Sequence, residues 1–164
     1  YTYALMNGLV KPSYLLSYNT ETQNWENEHR YTAYDTLGNL LESYNAVNVP
    51  TSYIWGYGGL YPVAVIANCT LAQVSAIIGL SAISTSPLSA DASQYASALR
   101  AISGAEVTLY QYIPLIGLTK EITPDGKEIS YSYNAAGKLH QVLDDLGRNQ
   151  STTLYSTENK SSSL

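Results

Sequence analysis

One short turn recurs along this chain, and it limits the possible fold more than any other feature of the sequence. An Asp or Asn stands at its first position and a Gly at its fourth, in Asp35–Gly38, Asn134–Gly137 and Asp144–Gly147. The Asx side chain accepts a hydrogen bond from the backbone two residues on, and Gly adopts a positive φ without a Cβ clash. Pro124, Asp125 and Gly126 predict a fourth tight turn. Such turns between short Tyr-, Ile-, Val- and Thr-rich runs predict an antiparallel meander of hairpins with bulges.

The sequence around this turn is itself repeated. Aligning Tyr34 with Tyr133 places Asp35 on Asn134, Gly38 on Gly137 and Leu40 on Leu139. The segments 31–41 and 131–142 therefore look like two copies of one hairpin, and the chain between them looks like an insertion into a β-repeat scheme.

The inserted part changes its hydrophobic period from that of a strand to that of a helix. Thr70 followed by Gln73 forms a capping-box pattern, and Leu71, Val74, Ile77 and Ile78 share one helical face. Ser89 is the expected cap of a second helix, whose inward residues are Ala92, Tyr95, Leu99 and Ile102, with Gly104 at its end. We therefore predict a two-helix hairpin over about 70–103, packed on the sheet that carries Ile54, Val63, Val65, Val107 and Leu109.

These patterns predict an α+β fold that is mainly antiparallel β. The length of 164 residues suits a single domain. We expect a β part at 1–69, the helical hairpin at 70–103, β-hairpin repeats at 104–155 and a flexible tail at 156–164. The chain opens at Tyr1 without an initiating Met, so we expect it to be a fragment or a mature piece whose targeting information lies elsewhere.

The composition restricts the partners and the surface chemistry. The chain has 16 Tyr, no Phe and only 13% charged residues. Tyrosine suits half-exposed strand faces because it joins a β-favouring ring to a hydroxyl that tolerates water. With 8 Lys and Arg and a net charge of −5, we expect no nucleic-acid partner. The single cysteine excludes an internal disulfide and a cysteine-based zinc site, no apolar run is long enough to span a membrane, and we expect no cofactor.

The segment 53–66 is the most aromatic part of the chain, and it is our candidate ligand-binding site. Its rings are those of Tyr53, Trp55, Tyr57 and Tyr61. Strand alternation would place the first three on one face. Two interpretations are open: the rings pack under the helices as core, or they form an exposed platform that stacks on a sugar or a protein partner.

We find no constellation of residues that predicts catalysis or a metal site. The acidic residues Asp35, Asp125, Asp144 and Asp145 cluster at turns, where hydrogen bonding to the turn explains most of them. His29 and His140 belong to no motif with a nucleophile. Cys69 stands at a helix entry, where the helix could give it thiolate character, but a small inert residue is the preferred interpretation.

The segment 126–139, GKEISYSYNAAGKL, resembles the RHS or YD repeat, usually written GxxxRYxYDxxGRL. It keeps both glycines, both tyrosines and the leucine, with Asn134 in place of Asp, Lys138 in place of the second Arg and Ser130 in place of the first. The earlier copy keeps Tyr34, Asp35, Gly38 and Leu40, with Thr32 at the first Tyr position. The block WGYGGLYPVAVI also looks like RHS-type proteins of Bacteroidota.

The resemblance implies a β-hairpin repeat on a secreted or cell-surface bacterial protein. Relatives of this kind act as scaffolds, adhesins or carbohydrate-binding proteins, and in some a long series of repeats forms a shell around a toxin. We therefore expect a non-enzymatic scaffold or binding module with a carbohydrate or protein partner. A fragment of a toxin shell, completed by upstream repeats, is the alternative, and a glycan-active enzyme is the least favoured. Exposed strand edges would also permit homo-oligomers.

Overall fold

A computed structural model describes residues 1–85 and 87–152, and within them the protein forms one antiparallel sheet of eleven strands. The strands lie side by side in chain order, each paired with the next. Their bounds are β1 Thr2–Met6, β2 Leu9–Asn19, β3 Asn24–Tyr34, β4 Leu40–Asn45, β5 Pro50–Gly56, β6 Tyr61–Ala67, β7 Glu106–Ile113, β8 Gly117–Ile122, β9 Glu128–Tyr133, β10 Leu139–Leu143 and β11 Asn149–Thr152. The predicted class, mainly antiparallel β with few helices, is confirmed. The predicted tail lies outside the described residues.

The helices stand between β6 and β7, but they are shorter and more numerous than the predicted hairpin. They are α1 Leu71–Ile78, α2 Leu80–Ser84 and α3 Ala96–Arg100, with a 3₁₀ turn at Ser93–Tyr95. The capping box of α1 forms, since the Thr70 hydroxyl accepts from Gln73 N–H and the Gln73 side chain accepts from Thr70 N–H. Gly79, at φ 91°, then separates α1 from α2.

The predicted start of the second helix, with Ser89 as its cap, is wrong. The carboxylate of Asp91 accepts a hydrogen bond from Ser93 N–H at 2.8 Å, and a 3₁₀ turn follows, so α-helical geometry begins only at Ala96. The Asp91 side chain therefore forms a local Asx turn where the first turn of the predicted helix was expected. Leu99 is nevertheless fully buried, as the apolar period predicted.

The core lies between the helices and one side of the sheet, which we call the helix face. Ser52, Ile54 and Gly56 of β5 point to this side. Ser52 donates its hydroxyl to Cys69 C=O at 2.9 Å, and a Cβ on Gly56 would lie 2.2 Å from Ala90 C=O. No side chain larger than hydrogen fits at Gly56, and this close approach fixes the helical segment over the middle of the sheet.

Four of the five sheet residues predicted to receive the helices belong to the core, namely Ile54, Val63, Val107 and Leu109. The fifth, Val65, is half-buried. Val63 and Ala64 are both fully buried although they are adjacent, because the register of β5 and β6 shifts between Ile54 and Trp55. That bulge places Val65, opposite Tyr53, on the other side of the sheet.

Three turns share one geometry. The side-chain oxygen of Asp35, Asn134 or Asp144 accepts from the backbone N–H groups two and four residues on, at 2.7–3.0 Å. The fourth residue, Gly38, Gly137 or Gly147, has φ between 70° and 87°. The turn at Gly126, φ 85°, differs because Thr123 holds the first position and donates its hydroxyl to Asp125.

The structure also contains a copy of this turn that the glycine pattern did not reveal. Asn45 accepts from the N–H groups of Val47 and Val49, and Asn48 stands in the glycine position with φ 64°. Asparagine tolerates the left-handed region better than other non-glycine residues, so the fourth position does not require Gly.

Candidate binding surface

The side of the sheet opposite the helices, which we call the open face, carries part of the predicted aromatic site. Tyr53 and Trp55 alternate with the buried residues of β5 and therefore lie on this face. Tyr57 begins a 3₁₀ turn and Tyr61 begins β6, so neither continues the alternation. The helices pack on the other side of the sheet, so Tyr53 and Trp55 do not lie directly beneath them. The interpretation of the rings as core is nevertheless supported for two of the four. Trp55 and Tyr57 still contact the edge of the core.

The polar atoms of the four predicted residues are used inside the molecule. Trp55 donates its ring N–H to Leu40 C=O at 2.8 Å, and the hydroxyls of Tyr53 and Ser43 lie 3.3 Å apart. The hydroxyls of Tyr57 and Tyr61 accept from the backbone N–H groups of Tyr112 and Leu115 at 3.0 and 2.9 Å. A ligand would therefore meet mainly the rings of these residues.

Tyr57 and Tyr61 form a compact aromatic cluster with Tyr112 of β7. The rings of Tyr61 and Tyr112 are stacked, with centroids 4.6 Å apart, and Tyr57 meets both edge-on. Burial, followed by the neighbouring Tyr110 and Tyr57, raises the pKa of Tyr112 to about 12. The cluster joins the β5–β6 hairpin to the end of β7, and only the strand register could have identified Tyr112 as its third member.

Further tyrosines of the open face were not predicted as site residues. Tyr31, Tyr110 and Tyr131 are half-buried, as is Tyr53. Burial raises the pKa of all three, and the nearby carboxylate of Glu121 raises the pKa of Tyr110 and Tyr131 further. Their hydroxyls therefore remain protonated and neutral well above neutral pH.

A groove of about 600 Å³ lies between the turns that follow β8 and β10. Its lining includes Ile129, Tyr131, Val142, Asp125 and Asp144. Lys127 pairs with Asp125 at 2.6 Å and Arg148 pairs with Asp144 at 2.7 Å. The hydrogen bond from Lys127, with one from Thr123, lowers the pKa of Asp125 to about 2. Burial acts to raise the pKa of Asp144, but hydrogen bonds from Arg148, Leu146 and Gln150 outweigh it and lower this pKa. Both carboxylates are thus ionised and already paired.

A second groove, at the start of α1, is explained by structure. The Glu42 carboxylate accepts from Leu71 N–H at 2.9 Å and from the Thr32 hydroxyl at 2.6 Å. A negative charge is favourable at a helix N-terminus. The guanidinium of Arg30 lies 4.3 Å from the centroid of the Tyr44 ring beside it. Glu42 therefore attaches α1 to the sheet.

The nucleophile and base candidates are not brought together. His29 lies on β3 and His140 on β10, seven positions apart in the strand order, and both are exposed. Neither lines either of the two grooves. Cys69 is fully buried, and burial, with a smaller effect of Glu42, raises the pKa of its thiol. The helix entry therefore gives Cys69 no thiolate character.

Among the described residues, no helix is long and apolar enough to cross a membrane. The chain matches no protein-family model and no curated protein sequence.

Proposed function

We propose that this chain is a non-enzymatic scaffold and binding module of RHS or YD-repeat type, from a secreted or surface-attached bacterial protein. The observation that carries the proposal is the one-sided packing of the sheet. The helices cover the helix face, while the open face presents half-buried aromatic residues, including Tyr53 and Tyr110.

The chemistry of the open face supports binding to a glycan or a protein. Tyrosine and tryptophan supply large rigid rings at a low cost in side-chain entropy. The protonated hydroxyls add neutral hydrogen-bond donors and acceptors to this surface. Sugars present apolar C–H faces and hydroxyls together, and protein hot spots are enriched in the same aromatic residues.

The non-enzymatic part of the proposal is supported by the use of the titratable groups. Asp35 and Asp144 are occupied by turn hydrogen bonds, and Asp125 by Thr123 and Lys127. The two histidines are on distant strands. A general acid or base needs to lie within hydrogen-bond reach of the reacting group in a cleft. Asp125 and Asp144 do line the first groove, but their carboxylates are paired with Lys127 and Arg148, and neither histidine lines that groove.

The test is a binding screen on a glycan array and on an array of purified extracellular proteins, with the wild type and three variants. We expect Tyr53→Ala and Tyr110→Ala to weaken binding. Tyr14→Ala is the matched control, because Tyr14 is a half-buried strand tyrosine that pairs with Arg30 on the helix face. Far-UV circular dichroism verifies the fold. Binding that both open-face variants retain in full would refute the proposal.

The strand order favours a second candidate, a segment of a toxin-enclosing shell. The eleven strands follow one another without a crossover, and within the described part β1 and β11 each pair with one strand only. Further repeats of the same polypeptide could therefore add strands at either edge. Sequencing the complete gene tests this candidate: many upstream copies of the motif would support it, and a short gene would exclude it.

A further inference from the structure

We propose that the open face binds an extended, neutral polysaccharide, which lies obliquely across the strands on a ladder of four tyrosines. The ladder consists of Tyr31, Tyr53, Tyr110 and Tyr131, on β3, β5, β7 and β9. This inference rests on the proposed binding role of the open face and adds the class and the direction of the ligand.

The register of the sheet places the four rings at one repeated interval. Tyr31 lies opposite Ser43, Ser43 lies opposite Thr51, and Tyr53 is two residues further on the same strand. From Tyr53 the path runs through Val65 and Thr108, and Tyr110 is again two residues further. From Tyr110 it runs through Glu121 and Ile129, and Tyr131 is two residues beyond.

Each step therefore crosses two strands and advances two residues. With strands about 4.8 Å apart and about 3.4 Å per residue, successive rings are separated by roughly 10 Å across the sheet and roughly 7 Å along it, or about 12 Å in total. Residues that lie opposite one another on paired strands, and residues two apart in one strand, point to the same side of a sheet. All four rings therefore lie on the open face, in an oblique line.

The electrostatic coupling of the hydroxyls agrees with this placement. After burial, Tyr1 and Tyr53 are the groups that raise the pKa of Tyr31. For Tyr131 the causes after burial are Glu121, which accepts its hydroxyl at 3.2 Å, and then Tyr110. Tyr31 thus senses Tyr53, and Tyr131 senses Tyr110, each across two strands.

The residues between the rings indicate what kind of polymer fits. They are Ser43, Thr51, Val65, Thr108, Glu121 and Ile129, of which one is charged and none is basic. The cations nearest to Ile129 and Tyr131, Lys127 and Arg148 of the first groove, are already paired with Asp125 and Asp144, so an anionic polymer gains little charge pairing there. A neutral sugar chain can stack its C–H faces on successive rings and exchange hydroxyl hydrogen bonds with the half-buried Thr51 and Thr108 between them.

The regular interval favours a polymer over a folded protein. A polysaccharide repeats the same face along its length, so evenly spaced rings can be occupied together, and each added contact becomes intramolecular once the first has formed. A folded protein partner has no need of equal intervals, since its hot spots cluster near the centre of the interface.

The experiment measures affinity as a function of ligand length. Soluble mixed-linkage β-glucan, xylan and mannan are tested by calorimetry, followed by the oligosaccharides of the polymer that binds, from disaccharide to octasaccharide. We expect affinity to rise with length until the ligand spans adjacent rings. Tyr53→Ala and Tyr110→Ala should each lower affinity about three- to tenfold, and the double variant by about the product, because one aromatic contact is worth roughly 0.5–1.5 kcal/mol.

Two controls separate the ring from the fold. Tyr53→Phe keeps the ring and should keep most of the affinity, while Tyr14→Ala changes a tyrosine on the helix face and should change nothing. Circular dichroism confirms that each variant folds.

The outcomes distinguish this inference from the proposed function. A polysaccharide that binds with the same affinity at every length, and depends on Tyr53 alone, overturns the ladder but leaves the open face as a binding surface. The same holds if the wild type binds none of the three polymers but binds a protein through Tyr53 and Tyr110. If the affinity for every polysaccharide or protein that binds is unchanged in all open-face variants, both proposals are wrong.

Discussion

The buried carboxylate of Asp35 supports more of the structure than a turn residue usually does. Its Oδ1 accepts from the N–H groups of Leu37 and Asn39 at 2.9 and 2.7 Å, and its Oδ2 accepts from the Asn39 side chain at 2.9 Å. The same Asn39 amide donates to Gly59 C=O at 3.0 Å. Asp35 is 0% exposed. We predict that Asp35→Ala destabilises both the β3–β4 turn and the β5–β6 hairpin.

The size of the effect follows from these three hydrogen bonds. Leu37 is 59% exposed, so water can replace the bond to its N–H and this loss contributes little. The backbone and side-chain donors of Asn39 are partly buried, and losing bonds to a charged acceptor there costs about 2–4 kcal/mol in the free energy of unfolding. Asp35→Asn keeps Oδ1 but turns an amide toward the Asn39 amide, and we expect a loss of about 1–2 kcal/mol.

The matched control is Asn134→Ala, which removes the same two backbone hydrogen bonds from an exposed copy of the turn. We expect about 0.5–1 kcal/mol there, because both N–H groups can bond to water. Urea unfolding followed by circular dichroism and by tryptophan fluorescence, to which Trp25 and Trp55 both contribute, measures all three variants. Equal losses for Asp35→Ala and Asn134→Ala would show that burial of the carboxylate does not matter and would refute this reasoning.

Three further predictions concern packing and ionisation. Gly56→Ala should destabilise the protein by about 1–3 kcal/mol in urea unfolding, because its Cβ would lie 2.2 Å from Ala90 C=O; unchanged stability would mean that the helical segment moves freely. The pKa of Asp125 is lowered from 3.8 to about 2 by Lys127 and Thr123, so its stabilising effect is present above about pH 3.8 and lost as the pH falls toward 2. The difference in unfolding free energy between wild type and Asp125→Asn should therefore shrink from pH 5 to pH 2, and a constant difference would contradict this. In an ultraviolet titration, Tyr112→Phe should remove a phenol that ionises near pH 12; an unaltered high-pH limb would show that this pKa belongs to another tyrosine.

The turns and the class of the fold could be predicted because their causes are local. An Asx residue and a Gly three positions later determine the backbone of a turn almost by themselves, and the alternation between turns predicts strands. Where asparagine replaces glycine, as at Asn48, the same turn has no such signature. The start of α3 was also missed, because the Asp91 side chain competes locally with the helix.

The proposed binding surface could be predicted only in part because it depends on register. The sequence indicated Tyr53 and Trp55, whose alternation is local, but it did not indicate which side of the sheet the helices cover. The helices cover the side to which Val63 and Ala64 both point, at a bulge that strand alternation does not predict. The ladder of tyrosines joins residues up to 100 positions apart, from Tyr31 to Tyr131, and only the pairing of every intervening strand brings them into line.

The one-sided position of the helices also determines how the molecule opens. Apart from Tyr34, every fully buried apolar residue among those described lies between Leu41 and Leu109, while β1, β2 and β8 to β11 contribute none. Because each strand pairs only with its neighbours in sequence, the outer hairpins can detach one at a time without breaking the core. In hydrogen–deuterium exchange we therefore expect protection to peak in β5–β7 and to decline stepwise toward both edges. The sheet would then have a stable centre and two outer parts that open locally, and it would not unfold as a single cooperative unit.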